Sequence, residues 1–216
     1  NFIIYDEHVL PDAYRGRLFG IEPLQGQVVM SEVTPLGSTF QTKDITRVVK
    51  TDDPWFRPVD IKAGPDGCIY VADMYEQRID HSSHYAGRID RTNGRVYRLK
   101  PKSLPKAQPI DLSKQSTSEL IGVLSRTQKQ QRQTAVRLLY DRHPSEVGAE
   151  LLKSIAMQRG QPALESLWAL HAVQALTDDV ALKLLKHEEP WVRAWTVRLL
   201  CDRYQVSPPI AGMLTE

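Results

Sequence analysis

Several features that would indicate a function class are missing from these 216 residues. The only cysteines, Cys68 and Cys201, belong to no CxxC or CxxCH motif, which excludes a zinc knuckle and a c-type haem attachment site in this sequence. Charges nearly balance at a net +2, so nothing indicates nucleic acid or a membrane surface as a partner. No apolar run approaches the roughly twenty residues of a transmembrane helix, and no signal peptide is recognisable.

Composition changes near residue 105. Residues 1–105 contain eight of the twelve glycines and six leucines, whereas residues 106–216 contain four glycines and seventeen leucines. Between them the segment "KPKSLPKAQP" (100–109) is rich in proline and lysine, which is typical of a linker. The sequence therefore predicts an all-β domain over residues 1–100, a linker over 101–115 and an all-α domain over 116–216.

In the first domain, short runs of β-forming residues alternate with turn signals, which predicts about seven strands joined by hairpins. This spacing suits a sandwich, a barrel or propeller blades. The predicted strands lie in residues 1–6, 17–23, 26–33, 39–45, 58–64, 68–75 and 94–100.

The second domain has apolar residues at helical spacing. "VRLLYDR" (136–142) returns as "VRLLCDR" (197–203), and "LWALHAV" (167–173) lies midway, which indicates a repeat of about thirty residues, one helix pair. This pattern predicts an α-solenoid of about three HEAT-like helix pairs, with "AGMLTE" at the end of the sequence inside the next helix. The predicted helices lie in residues 116–126, 129–142, 144–159, 162–176, 178–187 and 190–204.

The stretch "DPWFRPVDIKAGPDGCIYVADMY" (53–75) is typical of a hairpin with charged and aromatic residues at its outer ends. If it forms the two inner strands of a propeller blade, Arg57, Asp73 and Tyr75 lie on one rim together with the connection 76–93. Loops on a rigid β scaffold often carry binding and catalytic residues. That connection contains His81, His84 and Arg88, so the rim is the predicted site.

"YRGRLFGIEP", the hairpin core, a histidine-bearing loop ending in "GRVYRL" and the solenoid follow one another in this order. Together they resemble the membrane-bound dehydrogenases of planctomycete and related bacteria. The propeller of that family is similar to that of glucose/sorbosone dehydrogenases, which use pyrroloquinoline quinone (PQQ). The resemblance implies that residues 1–100 are the last two or so of about six blades in a longer protein. It also implies an extracytoplasmic, periplasmic or membrane-associated location, and a c-type haem domain outside this sequence.

The resemblance also implies the chemistry, oxidation of a sugar or alcohol with PQQ and Ca²⁺ as cofactors. His81 or His84 would act as the base, and Asp73 as a catalytic or orienting carboxylate. Arg57, Arg88 and Tyr75 would contact the cofactor. No metal-ligand set is predicted, because the two histidines of "HSSH" (81–84) have no further ligands nearby in the sequence.

Other hypotheses remain open. Asp73 could bind backbone amides of a neighbouring blade, Arg57 could pair with Asp60 or Asp73, and the histidines could belong to a solvated loop. The whole could be a non-enzymatic propeller and solenoid scaffold that binds protein or carbohydrate, or a lactonase-like hydrolytic propeller. The expected partners are a sugar or alcohol substrate, a protein on the solenoid and the remaining blades, with no nucleic acid.

Overall fold

The computed structural model describes residues 1–78, 80–87, 90–104, 110–144, 146–202 and 204–215, apart from the side chains of residues 83 and 84. The chain divides into two compact units, Asn1–Gln108 and Pro109–Glu216. The boundary falls inside residues 101–115, and the role of those residues as a linker stays a prediction. No helix of the described residues is both long and apolar enough to cross a membrane.

The first unit contains two antiparallel sheets in which strands pair in chain order. All seven predicted strands are confirmed, and they form two successive antiparallel meanders of four and three strands. The first sheet consists of β1 (Phe2–Ile4), β2 (Leu18–Glu22), β3 (Gln27–Leu36) and β4 (Thr39–Lys50), and the second of β5 (Pro58–Ala63), β6 (Ile69–Asp73) and β7 (Arg95–Leu99).

The core of this unit follows from the alternation of side chains along its strands. In β6, Ile69, Val71 and Asp73 are buried, while Tyr70 and Ala72 between them are half-buried, as the two-residue period of a strand requires. The apolar members of this set join a cluster that holds both sheets together, made of Tyr5, Leu10, Phe19, Ile21, Val28, Met30, Ile61, Ile69 and Val71.

The β5–β6 hairpin is closed by a glycine turn. The Gly64 amide donates to the Cys68 carbonyl over 2.8 Å, and Gly67 has a φ of +72°. A β-carbon at Gly67 would lie 2.5 Å from Val9 Cγ2, so only glycine fits there. The turn pairs Ala63 with Ile69, and a register shift between Pro58 and Asp60 then brings Pro58 opposite Asp73. Arg57 and Asp73 thereby lie at the same end of the hairpin.

A short helix interrupts the predicted connection 76–93. This helix, α1 (His81–Tyr85), contains both predicted histidines. The sequence gives little warning of it, because five residues rich in serine and histidine are poor helix formers and make barely more than one turn.

The second unit is helical, and every predicted helix is confirmed. Helices α2, α4, α6 and α8 alternate along the chain with α3, α5 and α7, and contacts join α2 to α4, α3 to α5, α5 to α7 and α6 to α8. This stacking of successive pairs is the arrangement expected of a solenoid. The bounds are α2 (Thr117–Val123), α3 (Lys129–Arg142), α4 (Val147–Met157), α5 (Gln161–Ala172), α6 (Asp178–Leu184), α7 (Pro190–Cys201) and α8 (Pro208–Thr215).

One arginine contact recurs with the repeat. Arg132 Nη1 donates to the carbonyls of residues 126 and 127 over 2.9 and 2.7 Å, and Arg193 Nη1 donates to those of residues 187 and 188 over 2.7 and 3.0 Å. Each arginine thus fastens the turn that precedes its own helix. Arg132 also donates to Glu165 over 2.8 Å, and this buried ion pair joins α3 to α5.

Candidate functional site

Three of the predicted site residues meet at one end of the β5–β6 hairpin. The carboxylate of Asp73 is fully buried, and its Oδ1 accepts hydrogen bonds from the backbone amides of Arg57 and Tyr75, each over 2.8 Å. Asp73 therefore binds backbone amides, as one hypothesis held, but the amides belong to its own hairpin. These bonds bring the segments on either side of the hairpin together.

The guanidinium of Arg57 is buried against four backbone carbonyls. Nε donates to Glu76 over 2.7 Å, Nη2 donates to Gln77 and Pro54 over 2.6 and 3.1 Å, and Nη1 donates to Pro23. A guanidinium has five N–H groups, so these bonds leave one for any ligand. Arg57 holds three chain segments together and makes no ion pair among the described residues.

Tyr75 sits directly above this network in an unusual backbone conformation. Its φ of +55° lies in the left-handed region, which costs a non-glycine residue about 1–2 kcal/mol. Its ring stacks on that of Trp55, with centroids 5.7 Å apart and planes at 29°. The guanidinium carbon of Arg95 lies 4.0 Å from the centre of the Tyr75 ring. We call Trp55, Tyr75 and Arg95 the rim stack.

The second carboxylate oxygen of Asp73 lies beneath the rim stack. Oδ2 is buried and accepts no hydrogen bond from the described residues; its nearest cation is Arg95, whose Nη1 lies 3.9 Å away. Contact with the Tyr75 side chain is the main reason that the pKa of Arg95 is raised. Burial, followed by the charge of Asp73, raises the pKa of Tyr97, whose ring packs edge-on against Phe56.

Neither Trp55 nor Arg95 was assigned to the site from the sequence, although Trp55 lies at the same end of the hairpin as Arg57. Trp55 stands two residues before Arg57 and is half-buried, so its position beside a predicted rim residue was the available signal. Arg95 lies opposite Asp73 in the β6–β7 register. That pairing could be found only by aligning two strands across a connection of twenty-one residues, Met74 to Gly94.

The remaining predicted residues are not brought into this cluster. His81 is exposed, its ring stacks on Tyr85 at 6.3 Å, and no described contact joins it to the rim stack. The side chain of His84 and the whole of Arg88 lie outside the described residues. Their predicted catalytic and cofactor-binding roles stay predictions.

The connection that carries these residues is anchored at its far end by Asp90. The Asp90 amide donates to Glu76 Oε1 over 2.8 Å, and its own carboxylate accepts from the amides and side chains of Thr92 and Asn93. These bonds, that from the Asn93 side chain first, lower the pKa of Asp90 to about 2. These hydrogen bonds fix the backbone of the connection just before β7 begins.

The described residues do not fit the cofactors that the resemblance implies. An anionic cofactor such as PQQ needs cations that are free to contact it. The predicted cofactor ligand Arg57 is engaged with four carbonyls, and Arg95, although 43% exposed, is paired with Asp73. A Ca²⁺ site needs several oxygen ligands, and no group of three or more His, Cys, Asp or Glu side chains in the described part of the chain could hold a metal. No catalytic step through either cofactor follows from this geometry.

By its fold the chain is a two-part protein, with two antiparallel β-meanders followed by a helical repeat. Residues 1–103 match a family model described as a domain of unknown function, DUF7133. The β-sheet region is therefore a DUF7133 domain, and it is followed by a helical region. No curated protein and no solved structure matches the chain significantly.

Proposed function

We propose that the β unit supplies a ligand-binding rim to a quinoprotein-like dehydrogenase that oxidises a sugar or an alcohol. The binding part of this proposal is carried by one observation, the strained backbone of Tyr75 beside the buried carboxylate of Asp73, whose Oδ2 accepts no hydrogen bond from the described residues and has its ion-pair partner Arg95 at 3.9 Å. Backbone strain and unsatisfied buried polar atoms both cost free energy, and they concentrate at functional sites. The redox part is supported by the resemblance of the sequence.

The same resemblance supports three further parts of the proposal. The protein would lie outside the cytoplasm or at a membrane, the β unit would pack against further propeller blades, and the solenoid would carry a protein partner. PQQ and Ca²⁺ would be held mainly by groups other than the rim residues described above.

Calorimetry on the full-length gene product tests the redox part. The protein is titrated with PQQ in the presence and absence of Ca²⁺, beside His81→Ala and, as a matched control, His143→Ala in the helical unit. Two results together support the dehydrogenase. PQQ binds saturably, and a sugar or an alcohol drives reduction of a dye at a rate that His81→Ala lowers and His143→Ala does not. An intact protein that does not bind PQQ refutes it.

A second candidate, a non-enzymatic scaffold, is favoured by a different observation. Arg57 and Asp73, the charged residues that the sequence singles out, are engaged with backbone groups, as structural residues are. A scaffold predicts that ligand binding at the rim survives without PQQ and that no dye is reduced. The calorimetric and dye experiments together separate the two candidates.

A further inference from the structure

The rim stack presents two aromatic rings and a cation together to solvent. Trp55 and Tyr75 are both half-buried, and the side chain of Arg95 keeps 43% of its area exposed. Neither ring is part of the apolar cluster that holds the two sheets together. Their exposed area is therefore available to a ligand.

The stack is fixed before any ligand arrives. Arg57 binds the carbonyl of Pro54, next to Trp55, and the carbonyl of Glu76, next to Tyr75. Asp73 fixes the amide of Tyr75 itself. Because a prearranged surface loses little conformational entropy on binding, these bonds favour affinity.

The chemistry of the stack selects the ligand. The faces of aromatic rings carry partial negative charge and attract C–H groups, which are slightly positive. Arg95, whose guanidinium lies over the Tyr75 ring, offers N–H donors beside the exposed aromatic surface and, being a cation, opposes a cationic ligand. A small alcohol would cover little of this area, whereas a sugar ring presents a C–H face and a rim of oxygens at once.

We propose that the rim stack binds a carbohydrate ring, with the Trp55 indole against its C–H face and Arg95 donating to one of its oxygens. This inference names the substrate class of the proposed enzyme, and it rests on that proposed function only for what happens to the sugar after binding. Trp55 and Arg95 are then residues that determine affinity and specificity.

Affinity electrophoresis of the full chain tests the proposal. Native gels contain hydroxyethylcellulose, xylan, galactomannan or polygalacturonate, and the variants are Trp55→Ala, Trp55→Phe and Arg95→Gln. Trp191→Ala is the matched control, because Trp191 belongs to the helical unit and is 64% exposed. Circular dichroism verifies that each variant is folded, and Trp55→Phe, which keeps a ring, covers the case in which Trp55→Ala does not fold.

We expect retardation of the wild-type chain in at least one gel and roughly tenfold or greater weakening by Trp55→Ala, as for a central aromatic contact. Arg95→Gln should weaken binding less, while Trp55→Phe and Trp191→Ala should stay within about threefold of the wild type. A wild-type chain that no polysaccharide retards overturns the proposal, and so does a folded Trp55→Ala chain retarded like the wild type. Polysaccharide binding without PQQ binding would refute only the dehydrogenase, and PQQ binding without polysaccharide binding would refute only the carbohydrate site.

Discussion

Replacing Arg57 should destabilise the β unit strongly and leave the helical unit unchanged. Arg57→Ala leaves four backbone carbonyls without their donor at a position where the arginine is only 7% exposed. At about 1 kcal/mol net for each hydrogen bond, the expected loss of unfolding free energy is about 4 kcal/mol. That is a large fraction of the stability of a typical domain.

A lysine at this position provides a graded test. Its ammonium has three donors on one nitrogen and cannot reproduce the planar fork of arginine. Arg57→Lys should therefore retain about two of the four bonds and lose about 2 kcal/mol. Arg47→Ala is the matched control, because Arg47 is exposed on β4, and we expect it to change stability by less than about 0.5 kcal/mol.

Hydrogen exchange read by mass spectrometry as a function of urea assigns the loss to one unit. Peptides from β5 and β6 report the unfolding free energy of the β unit, and peptides from α3 and α5 serve as the internal reference. The reasoning is refuted if Arg57→Ala lowers the free energy of the β5 and β6 peptides by less than about 1 kcal/mol. An equal fall in the helical peptides would also contradict it.

Three further predictions concern single contacts. Asp73→Ala should lower the unfolding free energy of the β unit by about 3 kcal/mol, because two amides lose a buried acceptor. Asp73→Asn keeps an acceptor for these amides and should cost less than half as much. Urea unfolding measures both losses. Arg132→Ala should destabilise the helical unit by about 3–5 kcal/mol, and the double variant with Glu165→Ala by less than the sum of the single changes, which a double-mutant cycle measures. Asp90, whose pKa is lowered to about 2, should contribute stability that is present above pH 4 and lost as pH falls through about 2. Asn93→Ala should move its NMR titration midpoint upwards.

Each of these predictions has a result that would contradict it. Equal losses for Asp73→Ala and Asp73→Asn would mean that the ion pair of Oδ2 with Arg95, rather than the two amides, sets the cost. Additive effects of the Arg132 and Glu165 changes would show that their ion pair contributes nothing. A normal midpoint for Asp90 in the wild-type chain would mean that its bonds to Thr92 and Asn93 do not form in solution.

The secondary structure could be predicted from the sequence because both units are locally consistent. Alternation of apolar residues specifies β5 and β6, and the glycines of the turn between them fix the hairpin. In the second unit the repeated "VRLL" segments specify the solenoid, and the fastening arginines precede them by four residues each time, at Arg132 and Arg193.

The candidate site could be predicted only in part, because its chemistry depends on tertiary contacts. Sequence position put Arg57, Asp73 and Tyr75 at one end of the hairpin, which the structure shows. Their environment could not be read in the same way, since the carbonyls that engage Arg57 come from both sides of the hairpin and from the turn after β2. Arg95 reaches the stack only through the pairing of β6 with β7.

The most direct test of this account is an NMR spectrum of the four tryptophan indole N–H groups during titration with an oligosaccharide of the polysaccharide that retards the protein. Trp55→Phe identifies the Trp55 signal by its loss. The account predicts that the Trp55 resonance shifts saturably while those of Trp168, Trp191 and Trp195, all in the helical unit, stay in place. A Trp55 signal that does not move, or shifts confined to the helical tryptophans, would contradict a ligand site at the rim stack.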